Sequence, residues 1–185
     1  NLQRQILHKE SRLGQNKAVS AAKSLHGLNA QVHVQTYSQF MDEAHLRQVL
    51  PDYDIVIDAT DQLENKFLIN DVCVSAEKPF VHGGITGFSG QVMTYVPEKG
   101  PCYRCIFGEV PEDNAPAPIP VIGVTAGIIG TIQAAEAIRY LLGIPSLLTG
   151  KLLVLDGLRM QFRTVPFPHV SEHCPLHTRK GVTDL

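Results

Sequence analysis

The sequence predicts an α/β protein whose sheet is parallel in its first half and mixed towards the C-terminus. Three observations predict it. Helix-like and strand-like segments alternate from residue 17 to residue 85, the pattern of parallel strands joined by helical crossovers. Beyond residue 80, pairs of strand-like segments follow one another with only a turn between them, as antiparallel neighbours do. The short run Asp54-Ile55-Val56-Ile57-Asp58 has the β-branched, apolar composition of a buried parallel strand.

Each element has its own signal. Residues 17–26 are Ala-rich and stop near Gly27, as a short amphipathic helix does. Residues 32–37 alternate Val-His-Val-Gln-Thr-Tyr and read as a strand. A helix is expected over 42–49, a strand over 54–58, and a third helix over 64–75. Residues 80–85 and 91–96 read as strands joined by the Gly-rich turn 83–90. Six prolines between 97 and 120 mark an irregular crossover segment. The stretch 122–142 is so rich in Ala, Ile and Gly that it reads as a helix buried all round, with Gly123, Gly127 and Gly130 open to close backbone approach. Residues 151–156 and 160–165 look like a closing strand pair around Gly157, and a polar, His-rich tail runs from Pro166. The whole of 1–185 is expected to be one domain.

Composition narrows the function. Sixteen Lys and Arg against 18 Asp and Glu leave a net charge of -2, so no basic excess exists to hold a phosphate backbone, and nucleic acid is not an expected partner. No apolar run reaches the ~18 residues that span a bilayer, so a membrane is not expected either. Four cysteines in 185 residues are too few for a disulfide-stapled secreted scaffold. A cytoplasmic protein follows. The chain opens on Asn1-Leu2-Gln3 without Met, which raises the expectation that a segment precedes it.

The strongest chemical signal is Cys102-Tyr103-Arg104-Cys105, a Cys-x2-Cys pair behind Gly100-Pro101. Taken alone it reads about equally as a zinc edge or as a pair of unrelated surface cysteines or a redox pair. Cys174-Pro175-Leu176-His177 repeats the two-residue spacing, and the two pairs together make a Cys3His set, a structural zinc pattern with no open position. His173 is the weaker fourth candidate because it adjoins Cys174. Cys73, between Val72 and Val74, reads as a buried and inert thiol, so no thiol remains for covalent catalysis. Asp61 follows the 54–58 strand and precedes a helix. There it can cap that helix or hold Mg2+ at the sheet edge where ligands of α/β folds bind, with Asp58 beside it at the mouth of the site.

The chain also resembles a known family. Asn1-Leu2-Gln3-Arg4-Gln5, Gly14-Gln15-Asn16-Lys17, Asp58-Ala59-Thr60-Asp61 and Gly100-Pro101-Cys102-Tyr103-Arg104-Cys105 are similar, in order and spacing, to the motifs of the ThiF/MoeB/HesA family. Gly127 to Ala134 looks like that family's buried helix. These enzymes adenylate the C-terminus of small ubiquitin-fold proteins. The resemblance implies a Rossmann-like fold with a zinc knuckle, ATP and Mg2+ as cofactors, a carrier protein ending in Gly-Gly as partner, and a homodimer. It implies that Asn1, Leu2, Gln3, Arg4, Gln5, Lys17, Gln62 and Lys66 surround the nucleotide and that Asp61 holds Mg2+. Arg4, Lys17 and Asp61 would act in catalysis, and Cys102, Cys105, Cys174 and His177 fall on the zinc ligands.

Three positions depart from the family pattern. His177 replaces the last zinc Cys, and imidazole is a competent ligand there. The Asp-Asn pair and downstream Arg become Asp61-Gln62 and Lys66, which keeps charge but loses the bidentate fork. Where some relatives carry a reactive Cys, this chain has Ala115-Pro116-Ala117-Pro118, so adenylation without an enzyme thioester is expected. The family's Gly-rich phosphate loop, first strand-helix unit and ribose-binding acid would precede Asn1. They would extend the parent upstream by roughly one βαβ unit of ~30 residues, leaving this chain alone inactive. Two other readings stand beside adenylation: a zinc-containing scaffold for a ubiquitin-like partner, favoured by Gln62 and Lys66, and a dinucleotide oxidoreductase, which requires an upstream G-x-G-x-x-G.

Overall fold

The computed structural model describes residues 1–109 and 120–177. Two compact units emerge, Asn1–Asp42 and Glu43–Leu185. Residues 110–119 of the Pro-rich crossover, including Ala115-Pro116-Ala117-Pro118, lie outside the described residues. Among the described residues, no helix is long and apolar enough to cross a membrane.

The first unit is built on helix α1 (Lys17–Leu28). Gly14 enters it with φ of +82°, a left-handed conformation that a side chain would strain. Asn16 then caps it, its side-chain oxygen accepting from the N–H groups of Ala18 at 2.9 Å and Val19 at 3.4 Å. The helix passes through Gly27 and stops at Asn29. Segment 5–16 is tied onto α1 by Arg12, which donates to the Ser20 carbonyl and to Ser24 Oγ, and by Ser24 Oγ donating to the Leu7 carbonyl at 2.6 Å.

Residues 32–37 are not a strand, contrary to their alternation. A strand exists through hydrogen bonds to a neighbour, and among the described residues none runs alongside this segment.

The second unit carries helix α2 (Glu43–Val49), strand β1 (Val56–Asp58), helix α3 (Leu63–Ser75), strands β2 (Phe80–Thr86) and β3 (Ser89–Tyr95), the short helix α4 (Tyr103–Phe107), helix α5 (Gly123–Leu141), and strands β4 (Lys151–Asp156) and β5 (Gln161–Pro166). Helix α4 lies inside the segment expected to be irregular. The sheet order is β1-β2-β3-β4-β5. Strands β1 and β2 run parallel, with Asp58 opposite His82, and each later pair is antiparallel. The mixed sheet is therefore as expected, although β1–β2 is the one parallel pair of strands among the described residues.

Period-two alternation sends side chains to both faces. Phe80, Met93 and Leu152 join Phe67, Val72 and Cys73 of α3 in one core layer. Val81, Val92 and Leu155 join Ile129 and Ala137 of α5 in the other. Burial drives the Cys73 thiol up to about 12, and the nearby Asp58 charge adds to it, so this thiol is inert as expected.

Helix α5 is not buried all round. Thr125, Ile129, Gln133, Glu136 and Ala137 form its buried stripe, whereas Val124 is 72% exposed and Ile138 56%. A helix lying on one face of a sheet buries one stripe. Nothing within the described chain lies within 4 Å of where a Cβ on Gly127 or Gly130 would sit. The glycines that allow close approach are on the sheet instead: a Cβ on Gly83 would stand 2.4 Å from the Gln133 side chain, and one on Gly90 2.5 Å from Ile129.

Candidate functional site

The Cys and His residues do converge. The ligating atoms of Cys102, Cys105, Cys174 and His177 all lie within 4.8 Å of one another. Cys102 Sγ is 3.7 Å from both Cys105 Sγ and Cys174 Sγ. A tetrahedral ion with metal–sulfur bonds of about 2.3 Å requires sulfur–sulfur edges of about 3.8 Å, so these donors fit zinc coordination. The two halves share a turn: Cys105 N–H donates to the Cys102 carbonyl, and His177 N–H to the Cys174 carbonyl, each at 3.1 Å. His177 Nε2 is buried with no hydrogen-bond partner among the described residues, an orphan that a metal ion would satisfy. His173 is exposed and outside the group.

The knuckle is seated on α3. Asn70 Oδ1 accepts from the Tyr103 N–H at 2.8 Å, and Arg104 grips Asp71 through two bonds of 2.6 and 2.7 Å while its guanidinium covers the Phe67 ring. The hydrogen bond from Cys102 draws the Cys105 thiol down to about 5 against the opposing effect of burial. The same contact, with burial, pushes Cys102 up.

A second cluster lies at the carboxyl end of β1. Asp61 is exposed and does not cap α3. The N-cap position belongs to Gln62, in extended backbone and without a side-chain capping bond. Gln62 is itself exposed, its Oε1 accepting from Asn65 Nδ2 at 3.3 Å. The capping-type contacts are made by Asp58, whose Oδ1 accepts from Thr60 N at 3.0 Å and Thr60 Oγ1 at 2.6 Å. Its other oxygen, Oδ2, accepts from Lys66 Nζ at 3.2 Å and His82 Nδ1 at 2.8 Å.

Lys66, expected beside the nucleotide, is placed by this geometry against Asp58. It is 8% exposed, and its ammonium also donates to the Gly83 carbonyl at 2.8 Å.

The electrostatics follow from burial and pairing. Burial pushes the Asp58 carboxyl up, but the His82 hydrogen bond, the Lys66 charge and Thr60 outweigh it and hold the group at about 2. Burial lowers His82 and also Lys66, with Asp58 opposing in both cases. Neutral His82 donates from Nδ1 to Asp58, leaving Nε2 to accept from Gln91 Nε2 at 3.3 Å. Gln133 on α5 completes the cage by donating to the Asp58 carbonyl at 2.7 Å.

His82, Gln91 and Gln133 were not singled out from sequence. The available signal was His82 itself, a polar residue inside the otherwise apolar Phe80-Val81-His82 start of a strand, which requires a buried partner.

The remaining expected residues belong to the first unit. Arg4 donates to Asn1 Oδ1 at 2.8 Å and to Gln3 Oε1 at 3.1 Å, while the N–H groups of Arg4 and Gln5 both donate to the Asn1 carbonyl. Asn1 to Gln5 are thus one turn, with Leu2 exposed on it. Lys17 is exposed at the first residue of α1, where the helix N-terminus adds positive potential. Asp61, Gln62 and Lys66 belong to the second unit.

Comparison with known proteins agrees with the motifs. The SAMP-activating enzyme E1 of Haloferax volcanii is 41% identical over 191 residues, covering 100% of this chain and 69% of that protein. Adenylyltransferase and sulfurtransferase MOCS3 of Dictyostelium discoideum is 40% identical over 169 residues, and that of Xenopus laevis 37% over 177 residues. These alignments cover 89% and 94% of this chain but only 40% and 39% of the relatives, so the chain spans about two fifths of those proteins. Crystal structures of Escherichia coli MccB with ATP and with MccA-N7isoASN share the fold. Their TM-scores are 0.81 and 0.82, at 22% and 21% identity, over 95% of this chain and 54% and 55% of MccB. The model of the ThiF family matches residues 1–176, which takes in the Asn1–Gln5 turn, the Asp58–Asp61 turn and three of the four clustered metal-type ligands, and on this ground the chain belongs to the ThiF family.

Proposed function

We propose that the protein carrying this chain adenylates the C-terminal Gly-Gly carboxylate of a small ubiquitin-fold carrier protein with ATP. The observation that carries the reading is Asp61, an exposed carboxylate just beyond the carboxyl end of β1 in a ThiF-family chain, on a turn that Asp58 holds. The names of the relatives, an activating enzyme and adenylyltransferases, support the same class. A carrier of protein size is supported by apolar side chains at that end of the sheet. Phe88 in the β2–β3 turn is 46% exposed, and Leu158 and Met160 in the β4–β5 turn are 74% and 70% exposed. The two turns are joined by Gly157 N–H donating to the Phe88 carbonyl.

In this reaction a carboxylate oxygen of the carrier attacks the α-phosphorus. The bond from that phosphorus to the bridging oxygen breaks, and pyrophosphate leaves with the electron pair. Two anions must meet, so the chain has to supply fixed positive charge. Arg4 and Lys17 are cast in that role, with Arg4 already oriented by Asn1 and Gln3. Asn1, Leu2, Gln3, Gln5 and Gln62 are assigned to nucleotide contacts, and Asp61 is assigned to hold Mg2+. When bound there, Mg2+ neutralises phosphate charge and steadies the leaving group. Within this chain Cys73 is buried and the other three cysteines are gathered in the cluster, which supports adenylation without an enzyme thioester. Zinc held by Cys102, Cys105, Cys174 and His177 would have no open position. Its role is to clamp the α4 knuckle to the tail. The active form is proposed to be a homodimer.

ATP–pyrophosphate exchange by the whole protein, with and without a ubiquitin-fold protein ending in Gly-Gly, tests the reading. Carrier-dependent exchange is expected. No exchange across several carriers, in a folded and metal-loaded sample, overturns it in favour of a binding scaffold.

A further inference from the structure

We propose that Lys66 is a positioning residue of the nucleotide site: together with His82 it fixes the Asp58 carboxylate, and that carboxylate fixes the turn that presents Asp61. This inference rests on the adenylation reading for what Asp61 does, but not for how the turn is held.

Asp58 divides its two oxygens by direction. Oδ1 serves the turn, through the Thr60 N–H and hydroxyl. Oδ2 serves the interior, through Lys66 of α3 and His82 of β2. Its backbone carbonyl is gripped by Gln133 of α5. Three separate elements thus immobilise one residue, while Asp61 and Gln62 beyond it are exposed and α3 begins without a side-chain cap. The turn has its firmest recorded tie at Thr60.

Charge makes Lys66 necessary to this arrangement. Ionised, Asp58 accepts from all its donors at once. With Lys66 replaced by an apolar residue, the buried carboxylate loses its counter-ion and one of the two donors that fix Oδ2, so it is freer to turn and holds Thr60 less firmly. A metal-binding carboxylate must be held to within about 0.5 Å of its productive position, so a loosened turn is felt first in metal and nucleotide binding. This assigns Lys66 a role distinct from a phosphate contact, which would alter turnover directly.

The test uses Lys66→Met and Lys66→Arg in the whole protein. Hydrogen exchange across residues 56–63 is measured together with the dependence of ATP–pyrophosphate exchange on free Mg2+. In Lys66→Met, protection of the 59–62 amides is expected to fall about tenfold and the half-saturating Mg2+ concentration to rise about tenfold, from the loss of charge-assisted hydrogen bonds. Turnover at saturating Mg2+ stays near wild type, and Lys66→Arg restores both losses. Unchanged protection and unchanged Mg2+ dependence in Lys66→Met overturn the proposal. So does a fall in turnover with the Mg2+ dependence intact. Should Lys66→Met fail to fold, the double variant Asp58→Leu/Lys66→Met, which leaves neither charge unpaired, decides: wild-type protection of 59–62 overturns the proposal, and local loss supports it. A wild-type protein that never exchanges refutes adenylation alone, because the hydrogen-exchange arm still reads the turn.

Discussion

The Lys66 ammonium stands 3.2 Å from the Asp58 carboxylate, with side chains 9% and 2% exposed, and this pair joins α3 to the end of β1. Replacing only one member strands the other. Lys66→Ala is expected to lower unfolding free energy by about 3–5 kcal/mol in urea titrations, as for other broken buried pairs. A change below about 1 kcal/mol, the range of an exposed pair, would contradict the buried geometry.

Acid should weaken the second unit in two stages. His82 has its pKa lowered by burial, so it is neutral in the fold and gains protons more readily unfolded; its contribution is present above 6.5 and is lost as pH falls below that value. Asp58 is held at about 2 against an unfolded 3.8, its partners overcoming the opposing effect of burial, so its contribution is lost as pH falls from 3.8 towards 2. Urea titrations from pH 8 to pH 3 should show stability declining from about pH 6.5. His82→Gln should flatten that first decline and, because it removes the imidazole that helps hold Asp58 low, also shrink the second.

Metal content should follow the four donors. The purified protein is expected to hold one zinc per chain, released by a strong chelator with loss of protection around residues 102–107 and 174–177. His177→Ala should weaken zinc binding at least about tenfold in chelator competition, whereas His177→Cys should retain it. Retention of full affinity in His177→Ala would remove His177 from the ligand set.

Asp61→Ala is expected to abolish carrier-dependent pyrophosphate exchange while the metal content and thermal midpoint stay unchanged, because the side chain is exposed and Thr60 remains held by Asp58. Exchange at wild-type rate would exclude Asp61 from the Mg2+ role.

Gly83→Ala should be costly although it adds one methyl. The new Cβ would meet the Gln133 side chain at 2.4 Å, and that amide cannot retreat without releasing the carbonyls of Asp58 and Val81. A loss of about 1–3 kcal/mol is expected for such overpacking, measured by the denaturation midpoint. Gly127→Ala, facing open space, is the control and should gain slightly from helix propensity.

Much of this protein was legible in local pattern. The helices α1, α2, α3 and α5 and the strands β1 to β5 follow from periodicity and turn residues, because those signals act over a few neighbouring residues. The spacing of Cys102, Cys105, Cys174 and His177 announced one site, since a tetrahedral ion demands paired donors on short turns. Three matters waited for the tertiary structure. Residues 32–37 alternate like a strand, yet strand formation depends on a partner that sequence pattern does not contain. The apolar composition of α5 does not say how many sides are covered, and one sheet face covers only the Thr125–Ala137 stripe. Lys66 was placed beside the nucleotide by the family resemblance, and nothing in the local sequence says that it is buried. Its burial was decided by Asp58 and His82, which meet on adjacent strands through a register of backbone pairing that no spacing along the chain reveals.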